Sequence, residues 1–277
     1  MSTMYGTAVS LMLMIVSPEG APTLAQRPAA TADQISKGQA LKSATEGPAA
    51  LTGSQVALVH AGLTDTDPRV RETAAEVIMA RAWMARSKRT AEARAVWLQD
   101  RGKLAKSQSR LEQMLKSDRD RKVRLAVVLA LSNLEYTGNE DLTISARLTK
   151  TLASAYELEQ DGTVRNEIIK TLALTNSDEP ARDRALSKAL SDVSLGAVQQ
   201  AVAGLARSQN AAALPRIARL LRHHSRSIRL TVAQAMARFG SQAKSYVSEM
   251  RAAAAAETDP IVRQTLDMSI ALIEKKA

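Results

Sequence analysis

One hydrophobic pattern recurs along the chain: a branched aliphatic residue is followed by apolar residues four and eight positions later. In the first copy Val70 is followed by Ala74 and Ile78. Offsets of four and eight place all three side chains on one face of an α-helix. The pattern therefore predicts a series of amphipathic helices. The six copies begin at Val70, Val123, Val164, Val198, Ile228 and Val262, which lie 53, 41, 34, 30 and 34 residues apart.

Start signals and partner segments accompany these helices. An Asp stands three residues before the aliphatic residue in four copies, as at Asp67, and Ser225 takes that position in the fifth. Asp and Ser are favoured N-caps, because their side chains accept hydrogen bonds from first-turn amides. A second amphipathic segment accompanies each copy, so the sequence predicts helical pairs. The predicted partner helices span residues 55–63, 104–115, 142–158, 181–190, 214–221 and 243–256.

The pairs resemble HEAT repeats in their short bacterial form, also called HEAT-like or phycobilisome-lyase-type repeats. Residues 214–240 carry the best match, and residues 67–78 and 259–270 match nearly as well. The resemblance covers residues 51–277 and implies an all-α fold, an armadillo-like right-handed α-solenoid of about six stacked helical hairpins. One hairpin cannot bury both of its apolar faces, whereas stacking on neighbours can.

The resemblance also implies a structural ladder, because the turn Asp and the Arg after the aliphatic residue bond between neighbouring units in HEAT repeats. The alternative role for these Arg residues is contact with a ligand. The fourth copy departs from the pattern, since Leu195 takes the place of the Asp and Gln199 that of the Arg; its register is open by about one residue. The predicted ladder residues are Asp67, Arg71, Asp120, Arg124, Asp161, Arg165, Arg229, Asp259 and Arg263.

Two segments precede the repeats. Residues 1–25 contain an apolar stretch, a Ser-Pro breaker and a small-residue end at Ala25, which is typical of a secretory signal peptide, although the segment lacks Lys and Arg. Export to the periplasm or medium is therefore the expectation, with a cytoplasmic location as the alternative. The apolar stretch is shorter than the roughly 20 residues of a membrane span. Residues 26–50 are rich in small residues and predict a flexible linker.

The long first spacing indicates an extended or additional helix near residues 82–100, within the 51–277 repeat region. Both tryptophans, Trp83 and Trp97, lie in this insertion. They either cover an edge of the solenoid or provide exposed anchors for a partner, since aromatic side chains are frequent anchors in interfaces.

Positive charge is concentrated in two places. The chain has a formal net charge of +10, and residues 81–125 alone contain 14 Lys or Arg against 5 acids. Residues 207–229 contain six Arg and no acid, with His223 and His224 between them. Arg216, Arg219 and Arg222 share a helix face that is either solvated or in contact with an acidic partner. A basic face attracts acidic partners in general.

Catalytic chemistry has no signature in this sequence. No phosphate-binding glycine loop, nucleophile elbow or zinc-binding His-Glu-x-x-His is present, and the chain has no Cys and only three His. We therefore expect a protein that is not an enzyme and uses no cofactor and no metal. The His223–His224 pair has no third ligand nearby in sequence, and His60 is expected on a partly buried helix face.

A binding scaffold for a protein or peptide is the resulting hypothesis for function. By resemblance, the repeated helices line the concave side, where their polar positions would contact the partner. Nucleic acid, anionic lipid and cell-wall polymers are the alternative partners; the basic stretches lack the interleaved aromatics that stack on bases. The sequence leaves the oligomeric state open. The candidate partner-binding residues are Glu72, Arg121, Asn166, Gln200, Arg226, Gln264, Trp83 and Trp97.

Overall fold

The computed structural model describes residues 27, 29–44, 46–88, 90–135, 144–175 and 178–275, so the expected signal peptide at residues 1–25 lies outside the described residues. Within these ranges all of the regular secondary structure is helical. The helices are α1 Ala32–Ser43, α2 Gly53–Gly62, α3 Pro68–Lys88, α4 Ala91–Leu104, α5 Gln108–Ser117, α6 Arg121–Leu134, α7 Ala146–Leu158, α8 Gly162–Leu174, α9 Pro180–Ala189, α10 Leu195–Arg207, α11 Leu214–Arg219, α12 Arg226–Phe239, α13 Val247–Ala256 and α14 Pro260–Lys275.

Six helical pairs form two layers. The pairs, called units 1 to 6 below, are α2–α3, α5–α6, α7–α8, α9–α10, α11–α12 and α13–α14. Their second helices pack side by side in chain order, from α3 against α6 to α12 against α14, and the first helices form the other layer. The predicted α-solenoid is confirmed, because each unit buries its apolar stripe between its own two helices and its neighbours.

Part of the predicted linker is a helix. α1 begins with a capping box in which Thr31 accepts the backbone N–H of Gln34 and the Gln34 side chain accepts that of Thr31. The side chain of Leu41 is fully buried, and α1 packs on α2 and α3. The prediction of a flexible linker over residues 26–50 is therefore wrong for residues 32–43. The composition hid this helix, since Leu41 is the one residue of α1 that is buried.

The insertion contributes both a longer helix and an extra one. α3 has 21 residues, and α4 follows before a short 3-10 turn leads into α5. Trp97 on α4 is 1% exposed, whereas Trp83 on α3 is 37% exposed. Trp97 is thus part of the core, so its selection as a partner anchor is wrong. Asp100 explains how α4 is held, because its buried carboxylate bonds to Arg81 at 2.7 Å and accepts the backbone N–H of Leu51.

Unit 4 settles the register that the sequence left open. Its N-cap is Ser194, which accepts the backbone N–H of Ala197. Because the other caps lie three residues before the aliphatic position, Ala197 corresponds to Val164 and Ile228, and the assignment of Val198 was wrong by one residue. The ladder position of unit 4 is therefore occupied by Val198, which is buried, rather than by Gln199.

Gly204 allows α10 to approach α8 closely. A Cβ atom at this position would lie 2.8 Å from the backbone Cα of Ala173 and 3.1 Å from a methyl group of Leu186. Glycine in a helix normally costs about 1 kcal/mol relative to alanine. At this crossing the missing side chain is what permits the contact between units 3 and 4.

Candidate binding surface

An acceptor residue lies two positions before the cap residue of every unit. In unit 2 the carboxylate of Asp118 accepts the backbone N–H of Asp120 at 3.0 Å, and in unit 6 that of Glu257 accepts the N–H of Asp259 at 3.0 Å. The acceptor fixes the turn that enters the second helix. The six acceptors are Asp65, Asp118, Glu159, Asp192, His223 and Glu257.

The ladder joins the repeated Arg of units 1, 2, 3 and 5 to the acceptor residue of the next unit, whereas Arg263 of unit 6 donates to the carbonyl of Glu257 in its own unit. Arg124 is typical: it donates to both oxygens of Glu159 at 2.7 Å, and its third nitrogen donates to the carbonyl of Asp118. The prediction that these Arg residues pair with the cap Asp is wrong, because the cap carboxylates bind first-turn amides instead. We call each Arg–acid pair a rung. The rungs are Arg71–Asp118, Arg124–Glu159, Arg165–Asp192 and Arg229–Glu257.

The rungs favour the charged form of Glu159 and Glu257. Burial disfavours the charged form of Glu159, but the hydrogen bonds from Arg124 and from the backbone hold its pKa below the ordinary value. The hydrogen bond from Arg229 likewise lowers the pKa of Glu257. At the third rung Arg165 also lies over the ring of Tyr156, 4.4 Å from its centre, and the hydroxyl of Tyr156 donates to Asp192.

The joint between units 4 and 5 has no rung. Val198 occupies the position of the Arg, and His223 occupies that of the acid. His223 still accepts the cap N–H of Ser225 through Nδ1 at 3.0 Å, as the carboxylates do in the other units, but it forms no ion pair with the preceding unit. Gln199 crosses the joint instead, with its amide donating to the hydroxyl of Thr231 and the carbonyl of Ser227. Both charged partners are therefore replaced together by uncharged side chains.

Much of the positive charge of residues 81–125 is used within the fold. Arg101 donates to the carbonyl of Leu134 at the end of α6, and Arg110 donates to the carbonyl of Leu63 at the end of α2. Lys103 donates to the carbonyl of Leu51. Cations near helix carboxyl ends satisfy carbonyls that lack an intrahelical partner. The charge that the composition suggested for a ligand is partly structural.

The outward face of the second helices is the surface left for a partner, and we call it the second-helix surface. It is formed by residues one before and three, six and ten after the aliphatic position, which lie opposite the buried stripe of each helix. In unit 6 these positions hold Ile261, Thr265, Met268 and Leu272, of which the three apolar residues are 53%, 53% and 49% exposed. In unit 5 the same positions are polar: Ser227, Thr231, Gln234 and Arg238.

The candidate partner-binding residues fall into different environments. Arg121 and Arg226 are engaged in ion pairs with the next unit, at Asp161 and Asp259 respectively. Glu72 is bound by Arg27. The side-chain oxygen of Asn166 is buried against Gly196, while Gln200 is partly exposed and Gln264 is exposed. Arg226 remains half exposed despite its ion pair, so it belongs with Gln264 and Trp83 to the accessible members of the predicted set, and Gln200 is partly exposed.

The basic stretch of units 4 and 5 contributes to both layers. Residues 193–248 contain eight Lys or Arg and no acid. Arg216, Arg219 and Arg222 are exposed on the first-helix side. Arg207 and Arg238 are exposed on the second-helix surface, where Arg207 also donates to the carbonyl of Ala173 at 2.6 Å. Burial together with the positive charges of Arg238 and Arg182 lowers the pKa of Arg207. The sequence predicted the charge but not its division between two faces.

Two further properties of the described residues bear on the site. Within them, no three side chains of the metal-binding types come close enough together to hold an ion. None of the helices that the structure describes is long and apolar enough to cross a membrane. The described His223 and His224 rings instead stack on each other, with centroids 4.1 Å apart.

The geometry defines a class of protein, a two-layered solenoid of helical pairs joined by Arg–acid rungs. Residues 184–271 match the family model described as HEAT repeats, which confirms the resemblance inferred from the sequence. The fold of the described residues is thus similar to that of HEAT repeat proteins. No curated protein matches it by sequence.

Solved structures show the same fold. An engineered protein from a structural genomics consortium is 19% identical, covers 79% of this chain and 98% of its own length, and has a TM-score of 0.57. The archaeal HEAT-like repeats protein from Thermococcus onnurineus NA1 is 16% identical, covers 86% of this chain and 92% of its own length, and has a TM-score of 0.53. At such identities the likeness concerns the fold alone.

Proposed function

We propose that this protein is a non-catalytic scaffold that holds an extended segment of another protein on its second-helix surface. The observation that carries the proposal is the composition of that surface in units 4 to 6. Arg207 and Arg238, in the acid-free stretch of residues 193–248, lie on the same surface as the exposed apolar side chains of α14, and Arg238 is on the helix that packs against α14. A segment with acidic and apolar side chains complements this surface in both charge and hydrophobicity.

The dimensions suit an extended chain. The tenth position after each aliphatic residue is held in units 3 to 6 by Leu174, Arg207, Arg238 and Leu272, all exposed. Packed helices lie about 9 Å apart, so this row spans roughly 27 Å. An extended chain advances about 3.3 Å per residue, and eight or nine residues therefore cross the row.

Charge inside the fold bears on the choice between this proposal and nucleic acid. Arg101, Arg110 and Arg124 of residues 81–125 donate to carbonyls or a carboxylate of the fold, whereas other basic side chains of the stretch, such as Lys88, Lys106 and Lys116, are exposed. Nucleic-acid binding that depends on phosphate neutralisation needs several exposed cations on one face. Anionic surfaces remain competitors, and the binding experiment includes them.

The experiment compares labelled peptides by fluorescence anisotropy. An eight-residue alternating Asp–Leu peptide is the probe, with Asp–Ser and Lys–Leu peptides as controls for its apolar and acidic parts. We expect the Asp–Leu peptide to bind best and to lose at least tenfold in affinity with Arg207→Glu/Arg238→Glu. The matched control is Arg216→Glu/Arg219→Glu, which makes the same charge change on the other layer. Equal losses in both variants, or equal binding of Lys–Leu, contradict the proposal.

Competing partners are measured on the same protein. A 20-nucleotide single strand, a duplex and vesicles with anionic lipid are titrated at about 50 mM salt, where electrostatic binding is strong. Binding of one of these that exceeds peptide binding and disappears with salt would replace the peptide proposal.

We further propose that the protein acts in the cell envelope, on the basis of residues 1–25. Sequencing of the N-terminus after fractionation of the native host tests this point. A start at Gln26 in the periplasmic or secreted fraction is the expected result, whereas an intact Met1 in the cytosol overturns it.

A further inference from the structure

At the joint between units 1 and 2, the preceding repeat supplies no cation for the cap carboxylate, which is that of Asp120. At two other joints the residue two before the aliphatic position donates to the next cap, as Arg121 does to Asp161 and Arg226 to Asp259. In unit 1 that position is Pro68, which has no side-chain donor. The repeats therefore leave the outer oxygen of Asp120 to a group from elsewhere.

Arg27 supplies that group from outside the repeats. Its Nε and Nη2 lie 2.7 and 2.6 Å from the two oxygens of Asp120, and its Nη1 lies 2.6 Å from Glu72. The hydrogen bond that Arg27 donates to Asp120 contributes most to raising the pKa of the guanidinium, against the effect of burial. Asp120 and Glu72 thus hold Arg27 on three sides, although it lies 93 and 45 residues from them in the chain.

The joint between units 1 and 2 carries acidic residues that the other joints lack. Glu72 lies two residues after the aliphatic position, and no other unit has an acid there: the equivalent residues are Leu125, Asn166, Gln199, Leu230 and Gln264. Glu76 follows one turn later on α3. Burial, reinforced by the charge of Glu72, raises the pKa of Glu76 to about 7. One guanidinium, together with the more distant Lys42 and Lys122, faces three carboxyl groups.

We propose that Glu72 and Asp120 form a guanidinium site on the second-helix surface, which Arg27 fills in cis and an arginine of the bound segment fills in its place. This inference rests on the proposed function and names one feature of the partner: an arginine near one end of the segment. The other end then lies toward the basic and apolar surface of units 4 to 6. The charges of the surface thereby determine which end of the segment lies at units 1 and 2 and which at units 4 to 6.

Arg27 is suited to exchange because it is tethered rather than built into a repeat. It precedes α1, so its release leaves the helical pairs and their rungs unchanged. A tethered group competes at an effective concentration that reaches the millimolar range for short flexible links. A partner that contributes only this arginine is excluded, whereas a partner that also binds units 4 to 6 displaces Arg27.

The test uses the full chain with Arg27→Ala and a synthetic peptide with the sequence of residues 24–31. Binding is followed by NMR titration, with a peptide that carries citrulline in place of arginine as the uncharged isostere. We expect the arginine peptide to bind the Arg27→Ala protein at least tenfold more tightly than the unchanged protein, and the citrulline peptide to bind neither. Adding Asp120→Asn, which preserves a helix cap, should abolish binding.

Three results overturn the site. The first is equal affinity of the arginine peptide for both proteins, and the second is equal affinity of the arginine and citrulline peptides for Arg27→Ala. The third is absence of binding to Arg27→Ala, with helicity unchanged by circular dichroism. If Arg27→Ala loses helicity, Glu72→Gln/Asp120→Asn, which retains Arg27, replaces it: the chemical shifts of the Arg27 side chain should then move to those of a solvated arginine, and unchanged shifts contradict the site. The probe does not contact Arg207 or Arg238, so failure of the Asp–Leu experiment is distinguishable from failure here.

Discussion

At the scale of single residues, the acceptor two positions before each cap decides how neighbouring units meet. Glu159 accepts the cap N–H of its own unit and the guanidinium of Arg124 from the unit before. One carboxylate thereby fixes both the turn and the stacking. A buried charge of this kind is stable only while its partner is present, because removal of one partner leaves the other without compensation.

The second rung gives the first prediction. We expect Arg124→Met to lower the free energy of unfolding by about 3 kcal/mol, because it leaves the carboxylate of Glu159 buried and unpaired. Arg124→Met/Glu159→Gln should recover a large part of this loss, since the glutamine amide is neutral and its oxygen still accepts the cap N–H. Urea unfolding of both single variants and the double variant completes the cycle. Additive losses would show that the two side chains do not interact.

Glu76 gives the second prediction, which concerns pH. Its folded pKa of about 7 lies above the ordinary value of 4.5, so the folded state binds the proton more tightly. The associated stability is therefore present below about pH 4.5 and is lost as pH rises toward 7. Glu76→Gln should stabilise the protein by roughly 1–3 kcal/mol at pH 8 and have little effect at pH 4. Thermal unfolding at both pH values measures the difference, and an equal shift at both contradicts it.

The sequence predicted the Arg side of the rungs and missed the acid side for a physical reason. The Arg recurs as the same letter beside an aliphatic residue, whereas its acceptor is Asp, Glu or His in different units. What these residues share is a side-chain acceptor at a fixed distance from the cap. In the same way Glu72 was selected from its position on the helix face, but Arg27 could not be connected to it, because the contact spans 45 residues.

At the scale of helices, the recurring aliphatic residues predicted the second helices well and left the first helices less certain. α3, α6 and α14 begin within two residues of the predicted aliphatic position, because cap and apolar stripe agree there. α1 escaped prediction although Thr31 and Gln34 form a capping box, since its burial depends mainly on Leu41. Small polar residues in a sequence do not reveal whether a neighbouring surface covers them.

Gly204 gives the prediction at this scale. Helix propensity alone favours Gly204→Ala by about 1 kcal/mol. The added Cβ, however, would lie 2.8 Å from a backbone atom of α8, which cannot move as a flexible side chain can. We expect a net loss of about 1–3 kcal/mol, as for other overpacked cores. Gly102→Ala is the control, because a Cβ there meets nothing within 4 Å, and chemical denaturation of both variants gives the comparison. A stabilised Gly204→Ala protein would contradict the close helix crossing.

At the scale of the whole molecule, stability is distributed over neighbouring interfaces, so the end units depend on a single neighbour. α14 covers α12 and α13, including the fully buried Met250. We expect truncation before Ile261 to expose this apolar surface and to cause aggregation. Size-exclusion chromatography and circular dichroism test the truncated chain. A soluble product that loses only the helicity of α14 itself would argue against the six-unit stack.

The joint between units 4 and 5 has a consequence for behaviour in mild acid. Burial and the charges of His224 and Arg229 lower the pKa of His223 below 6.5, so its contribution to stability is complete above that pH and is lost as pH falls through the folded value. Protonation removes the acceptor for Ser225. The joint between units 4 and 5 should then open more readily, with units 1–4 and units 5–6 as separate blocks. Hydrogen exchange followed as pH is lowered below 6.5 should detect the opening first in α11 and α12, and His223→Asn, an acceptor that does not titrate, should remove it. The joint between units 4 and 5 would therefore be the first joint to open in mild acid.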